Sequence, residues 1–157
     1  MANDHEQIII CHLLLFLPFL SQFFEMENYI FPVTIRYSDI DMNRHVNNAV
    51  YFTYMENART ELLRNELIEY HEKGIVFIVS EASCKYRRPI LLTDSIVCEL
   101  KFELLSPLRI GVSYFFRDSR TAMLHAEGKT TLVMADEATG KAVKIPGELM
   151  DRLAKNE

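Results

Sequence analysis

Between residues 39 and 48 the chain places Asp39, Asp41, Asn43, His45, Asn47 and Asn48, two carboxylates, an imidazole and three amides in one short polar stretch. An alternating segment precedes it, with Val33, Ile35 and Tyr37 set against Thr34, Arg36 and Ser38. An amphipathic pattern from about Asn48 to Tyr70 follows at once. A strand therefore runs through an irregular loop into the start of a long helix. The loop holds side chains in non-repeating directions, and the helix start adds unpaired N–H groups and the positive end of a dipole, both suited to an anion. Asp39, Asp41 and His45 are also metal-ligand types, but no fourth ligand stands at a known spacing, and His125 and the other histidines add none. The plainer use of an Asp or Asn before a helix is turn formation or capping. Asn47 or Asn48 fits that use, and Asp39 reads as structural, paired with Arg36 or Arg59. Glu56 and Arg59 are spaced i, i+3, the separation of a helix-surface pair worth roughly 0.2–0.5 kcal/mol.

The elements that must position this stretch follow from pattern. Tyr51, Met55, Ala58 and Leu62 recur at helical spacing, widened by Phe52 and Leu63, with Gly74 just past the end. Ile75 to Arg88 begins as a continuous apolar run, as in a buried strand, then alternates through Ala82, Cys84 and Tyr86 until Pro89 stops it. From Ile96 onward the apolar residues take even numbers: Ile96, Cys98, Leu100, Phe102 and Leu104, then Leu108, Ile110, Val112, Tyr114 and Phe116, then Leu124, Ala126, Leu132 and Met134. Period two with one polar face predicts an antiparallel sheet covered on one side, with turns at Ser106-Pro107 and Asp118-Ser-Arg120. A helix of about 23 residues is ~35 Å long, and only a curved sheet wrapped lengthwise around it buries its stripe. The expectation is an α+β fold with the helix on the concave face. A short tail helix after Pro146 would be anchored by Leu149, Met150 and Leu153.

Composition narrows the function. The chain has 157 residues, 49% hydrophobic and 25% charged, with a formal charge of −5, the profile of a single globular domain with no electrostatic reason to bind nucleic acid. Lys85, Arg87 and Arg88 form the one compact basic group outside the polar stretch. Cys11, Cys84 and Cys98 are odd in number and widely spaced, which reads as a reduced cytoplasmic setting. Residues 1–25 break the pattern. Ile8 to Leu20 is nearly all apolar, yet it is too short for the roughly 20 residues of a membrane helix, and the basic start of a secretory signal is missing. Residues 1–25 are read as an apolar extension, non-native in origin or dispensable, without stable membrane insertion, and 26–157 as the working domain.

Asp39-Ile-Asp-Met-Asn-Arg-His-Val-Asn-Asn-Ala-Val-Tyr51, followed by Tyr54-Met-Glu-Asn-Ala-Arg59, resembles the signature of hotdog-fold acyl thioesterases. It is most similar to the hydroxybenzoyl-CoA thioesterase group and its acyl-CoA thioesterase relatives. The Asp-x-Asn-x-His and His-Val-Asn-Asn portions also resemble the acyl-carrier-protein thioesterases. Lys85-Tyr-Arg-Arg-Pro-Ile90, then Asp94, falls where the family has a similar strand ending, and the likeness runs from about Phe31 to Ala135. It implies hydrolysis of an acyl-CoA or acyl-carrier-protein thioester without a cofactor. Asp41 would be general base or nucleophile, and backbone N–H groups around Asn48 would form the oxyanion site. Similarity to the carrier-protein enzymes implies that Asn43 orients a carboxylate or water and that His45 supplies a hydrogen bond or acts as a base. Those enzymes carry an acidic or cysteine residue directly after Tyr-Arg-Arg; Pro89-Ile90 stands there in this chain, which leaves Asp41 with less help.

Lys85, Arg87 and Arg88 are candidates for the phosphates of coenzyme A. The family's dimers or tetramers share the site between subunits, so these cations are expected to reach a thioester at the partner's helix start. The apolar run Ile75 to Val79 agrees, since it would expose a hazardous edge in a monomer. Two other readings compete: a non-catalytic acyl-CoA-binding hotdog module, and a hotdog hydratase. The hydratase pattern has proline and a five-residue Asp-to-His gap; here the proline is missing and the gap is four.

Overall fold

The computed structural model describes residues 29–154. The expectations for residues 1–25 lie outside that range. The elements run β1 (Tyr29–Val33), α1 (Val50–Leu62), α2 (Arg64–Glu72), β2 (Ile75–Tyr86), β3 (Ile96–Ser106), β4 (Arg109–Asp118), β5 (Leu124–Asp136) and α3 (Gly147–Ala154), with a single 3-10 turn at Tyr37–Asp39. The strands form one antiparallel sheet in the order β1-β3-β4-β5-β2. This is the expected α+β hotdog arrangement, a curved sheet around the α1 helix.

Period two does build the core. Ile96, Cys98, Leu100 and Phe102 on β3, Ile110, Val112, Tyr114 and Phe116 on β4, and Ala126, Leu132 and Met134 on β5 are all buried. They meet Tyr51, Tyr54, Met55 and Ala58 from α1. Leu104 and Leu108 depart from the pattern and are exposed. The register shifts between Leu104 and Ser106, so the alternation stops there, and Leu105 folds against Gly111 instead. The tail helix is anchored as expected, with Leu149 and Leu153 buried and Met150 packed at the edge of the core.

Two expectations need correction. The helix is not continuous: Leu63, at φ −96° and ψ 14°, separates α1 from α2. The break lets Leu63 and Tyr70 turn into the core beside the α1 residues, which one straight stripe over that length does not allow. Gly74 ends α2 in a left-handed conformation, φ +70°, as its position foretold. The second correction concerns β2, which is not a buried strand. It lies at the sheet edge, half-buried at its start and mostly exposed afterwards. A register shift between Val79 and Glu81 leaves Ser80 as an extra residue. Ile75 and Phe77 pack inward before it and Cys84 after it, so the inward face changes from odd to even positions. Val76 and Ile78 between the inward positions are apolar as well, so the sequence reads as a continuous run before Ser80 and as alternation after it. No described helix is long and apolar enough to cross a membrane.

Helix and sheet meet closely at Gly128, where an added Cβ would stand 2.1 Å from the Met55 sulfur. Met55 is buried, so its side chain has little room to retreat. Gly128→Ala is expected to cost about 1–3 kcal/mol, read by chemical denaturation, and Met55→Ala should recover part of that loss in the double variant.

Candidate active site

The polar stretch folds as a miniature hairpin. Ile40 and Val46 form an antiparallel bridge, and the Asp41 N–H donates to the His45 carbonyl at 2.9 Å. The Arg44 N–H donates to the Asp41 carbonyl at 2.9 Å, with Arg44 left-handed at φ +63°. Asp41 is held at the tip by its own turn, since Oδ1 accepts the Asn43 main-chain N–H at 2.8 Å. Asp39 faces elsewhere. Its Oδ2 accepts the Arg36 N–H and the Tyr54 hydroxyl, each at 2.8 Å, so it ties the loop to α1. Of the two expected partners, Arg36 is engaged through its main-chain N–H and Arg59 is not engaged. Arg59 instead donates to the buried Tyr114 hydroxyl at 2.9 Å, which bonds Thr130 in turn, and the Glu56–Arg59 pair does not form.

Asn47 prepares the helix start. Its Oδ1 accepts the Ala49 N–H at 2.9 Å and its carbonyl the Val50 N–H at 3.0 Å. The Tyr86 hydroxyl donates to the Asn48 carbonyl at 2.9 Å, so the Asn48–Ala49 peptide is held at both ends. Among the described residues the Asn48 N–H has no acceptor.

Asp41, His45 and Asn48 come together with Arg87, Arg88 and Pro89 around a cleft of about 330 Å³, whose lining Val46, Tyr51 and Tyr86 complete. Asn43 and Lys85 are not part of that lining; both are exposed, and Asn43 acts on Asp41 only through its main chain. Arg87 is paired with Glu127 at 2.9 Å. Arg88 has no carboxylate within ion-pair distance among the described residues. Arg87 and Arg88 line the same cleft as Asp41 within one chain. No group of three His, Cys, Asp or Glu side chains among the described residues is placed to hold a metal ion. A larger cavity of about 470 Å³ between β1 and α1 contains Arg36, Asp39, Glu56 and Glu61 but none of the cleft's residues.

Tyr51 and Tyr86 are site residues that sequence reasoning misses, because their spacing marks them as inward-facing positions. Their rings meet edge to face at 5.0 Å. Burial, reinforced by Cys84 and Tyr86, pushes the Tyr51 phenol up to about 12. Burial and the bond to the Asp39 carboxylate raise Tyr54 well above its ordinary value.

Residues 35–153 match the family described as the thioesterase-like superfamily. The chain belongs to that family. Three known proteins are similar to it in sequence or fold. The long-chain acyl-CoA thioesterase FadM of Escherichia coli K12 is 29% identical over 125 residues, 77% of this chain and 93% of that protein. A thioesterase of Thermus thermophilus, solved with coenzyme A and Zn, is 27% identical with a TM-score of 0.69, covering 84% of this chain and 96% of that one. The 1,4-dihydroxy-2-naphthoyl-CoA thioesterase of Synechocystis, at 18% identity, shares the fold, with a TM-score of 0.73 over 81% of this chain and 96% of the other.

The phenols set an alkaline limit on this thioesterase-family domain. Folding favours the neutral form of Tyr51 and Tyr54, so their contribution is complete below the unfolded phenol value of about 10 and falls as pH rises toward the folded value, about 12 for Tyr51. The denaturation midpoint should drop across that window. Tyr51→Phe and Tyr54→Phe should each flatten the drop.

Proposed function

We propose that this protein hydrolyses acyl-CoA thioesters in the cleft at the start of α1, releasing a free acid and coenzyme A. The carrying observation is that Asp41, Asn48, whose N–H has no acceptor among the described residues, and Arg88 line one cleft. Hydrolysis needs an attacking group at the carbonyl carbon, a donor for the oxygen that becomes negative, and a departing thiol. Asp41 is the base that takes a proton from water, or the nucleophile that forms a mixed anhydride which water then opens. The Asn48 N–H stabilises the oxyanion, strengthened by the helix dipole. His45 hydrogen-bonds the reacting water or the departing sulfur. A thiol ionises near a pH of about 8.5, so the leaving group needs little acid assistance. Arg88, with Arg87 behind it, receives the phosphates of coenzyme A, and Lys85 lies close by in sequence on the same strand end. The names of the E. coli and Thermus relatives favour coenzyme A; an acyl-carrier protein offers the same phosphopantetheine thioester and is the alternative carrier.

A panel of acyl-CoAs scored by thiol release tests this reading. Asp41→Asn should fold normally and lose roughly 100-fold or more in kcat. Arg88→Glu should raise KM about tenfold with kcat little changed, because phosphate binding is shared by ground and transition states. A folded Asp41→Asn protein with undiminished kcat would sink the assignment. Binding of acyl-CoA without any turnover would favour a non-catalytic module.

The working assembly is a homodimer or homotetramer. β2 leaves a twelve-residue edge on which Ile78 and Val79 are exposed, and pairing with the same strand of a second copy removes that hazard. The free thiols of Cys84 and Cys98 fit a reducing, cytoplasmic setting. Light scattering should show at least a dimer at assay concentration; a fully active monomer would overturn the assembly.

A further inference from the structure

His125 lies on β5, outside the cleft lining, and is 8% exposed. Its main-chain carbonyl accepts two N–H groups, from Arg87 at 2.8 Å and from Arg88 at 2.9 Å. Its ring Nδ1 lies 2.9 Å from the Pro89 carbonyl. A carbonyl only accepts, so Nδ1 carries the proton in this contact. One buried residue therefore grips three consecutive residues just past the end of β2, where the strand ladder has run out. Those three are the whole contribution of that segment to the cleft.

The next residue, Ile90, is fully buried, and its carbonyl accepts the Val46 N–H at 2.9 Å, joining the segment to the Asp41 hairpin. Proline has no N–H of its own. Main-chain bonding at residue 89 can use only the carbonyl, and the His125 ring takes it.

We propose that His125 is a positioning residue for substrate binding: its ring holds the Arg87–Pro89 segment so that the Arg88 guanidinium faces the cleft. The inference rests on the reading of Arg88 as the phosphate-binding cation. His125 touches neither substrate nor reacting atoms, and its effect is transmitted through the Pro89 carbonyl. Arg87 has Glu127 as a second anchor, whereas Arg88 has no ion-pair partner among the described residues. Loss of the ring donor therefore loosens Arg88 in particular.

The test is calorimetric titration with coenzyme A, which needs no turnover. His125→Leu removes the donor and should weaken binding about tenfold, the scale of one buried hydrogen bond. His125→Asn puts an amide N–H close to where Nδ1 stood and should bind within about threefold of the unaltered protein. His125→Leu added to Arg88→Ala should cost less than about twofold more, since both changes act on one contact. Thermal melting establishes that each variant is folded, and His125→Ala replaces the leucine variant if that one is not. Unchanged affinity in a folded donor-free variant overturns the inference. So does equal loss with Asn and Leu, or full additivity with Arg88→Ala. Failure of the unaltered protein to bind coenzyme A overturns both this inference and the phosphate-binding reading. Binding without thiol release overturns the hydrolytic reading alone.

Discussion

A single main-chain bond, from the Val46 N–H to the Ile90 carbonyl at 2.9 Å, joins the two halves of the candidate site. On one side of it, the Ile40–Val46 bridge closes the hairpin that carries Asp41 and His45. On the other, the chain has just left β2 and carries Arg87 and Arg88. Neither half belongs to the sheet, and neither has a helix of its own. Both are fixed because Val46 and Ile90 are buried, at 5% and 0% exposure, in the same core that holds Tyr51 and Phe116. In that shielded setting an unpaired main-chain group is costly, so the bond and the packing around it enforce each other.

The two aspartates of the hairpin show how position decides use. Asp39 closes the 3-10 turn and Asp41 follows two residues later, yet they bond to different partners. Asp39 is committed to the Arg36 N–H and the Tyr54 hydroxyl and cements the loop to α1. Asp41 is held through one oxygen by the N–H of Asn43, and the carboxylate borders the cleft. Geometry, more than residue type, separates the two carboxylates.

What the sequence made legible was whatever repeats. Even-numbered apolar positions on β3, β4 and β5 located the core, and the polar stretch before α1 located the cleft. What it hid was of three kinds. Single-residue insertions, at Ser80 and near Leu105, leave no mark in composition, and they reversed or ended the alternation. Main-chain contacts have no side-chain signature, so the residue type at Asn43 points to its amide group while its N–H does the bonding. Residues with two uses show only the commoner one: Tyr51 and Tyr86 fit the inward pattern, and nothing in their spacing reveals that they also border the cleft. The Leu63 interruption is equally silent, because no proline or glycine announces it.

Ser80 falls near the middle of the twelve residues of β2. On either side of it the inward residues have opposite parity, odd before and even after. Two uniform strands laid edge to edge can slide past each other in steps of two residues and keep every contact type. Two strands that each carry an extra residue cannot, because sliding moves one Ser80 away from its counterpart and changes the contacts on both sides of it. If a second copy paired along β2, the residue that spoils the alternation would act as a vernier mark, singling out one alignment.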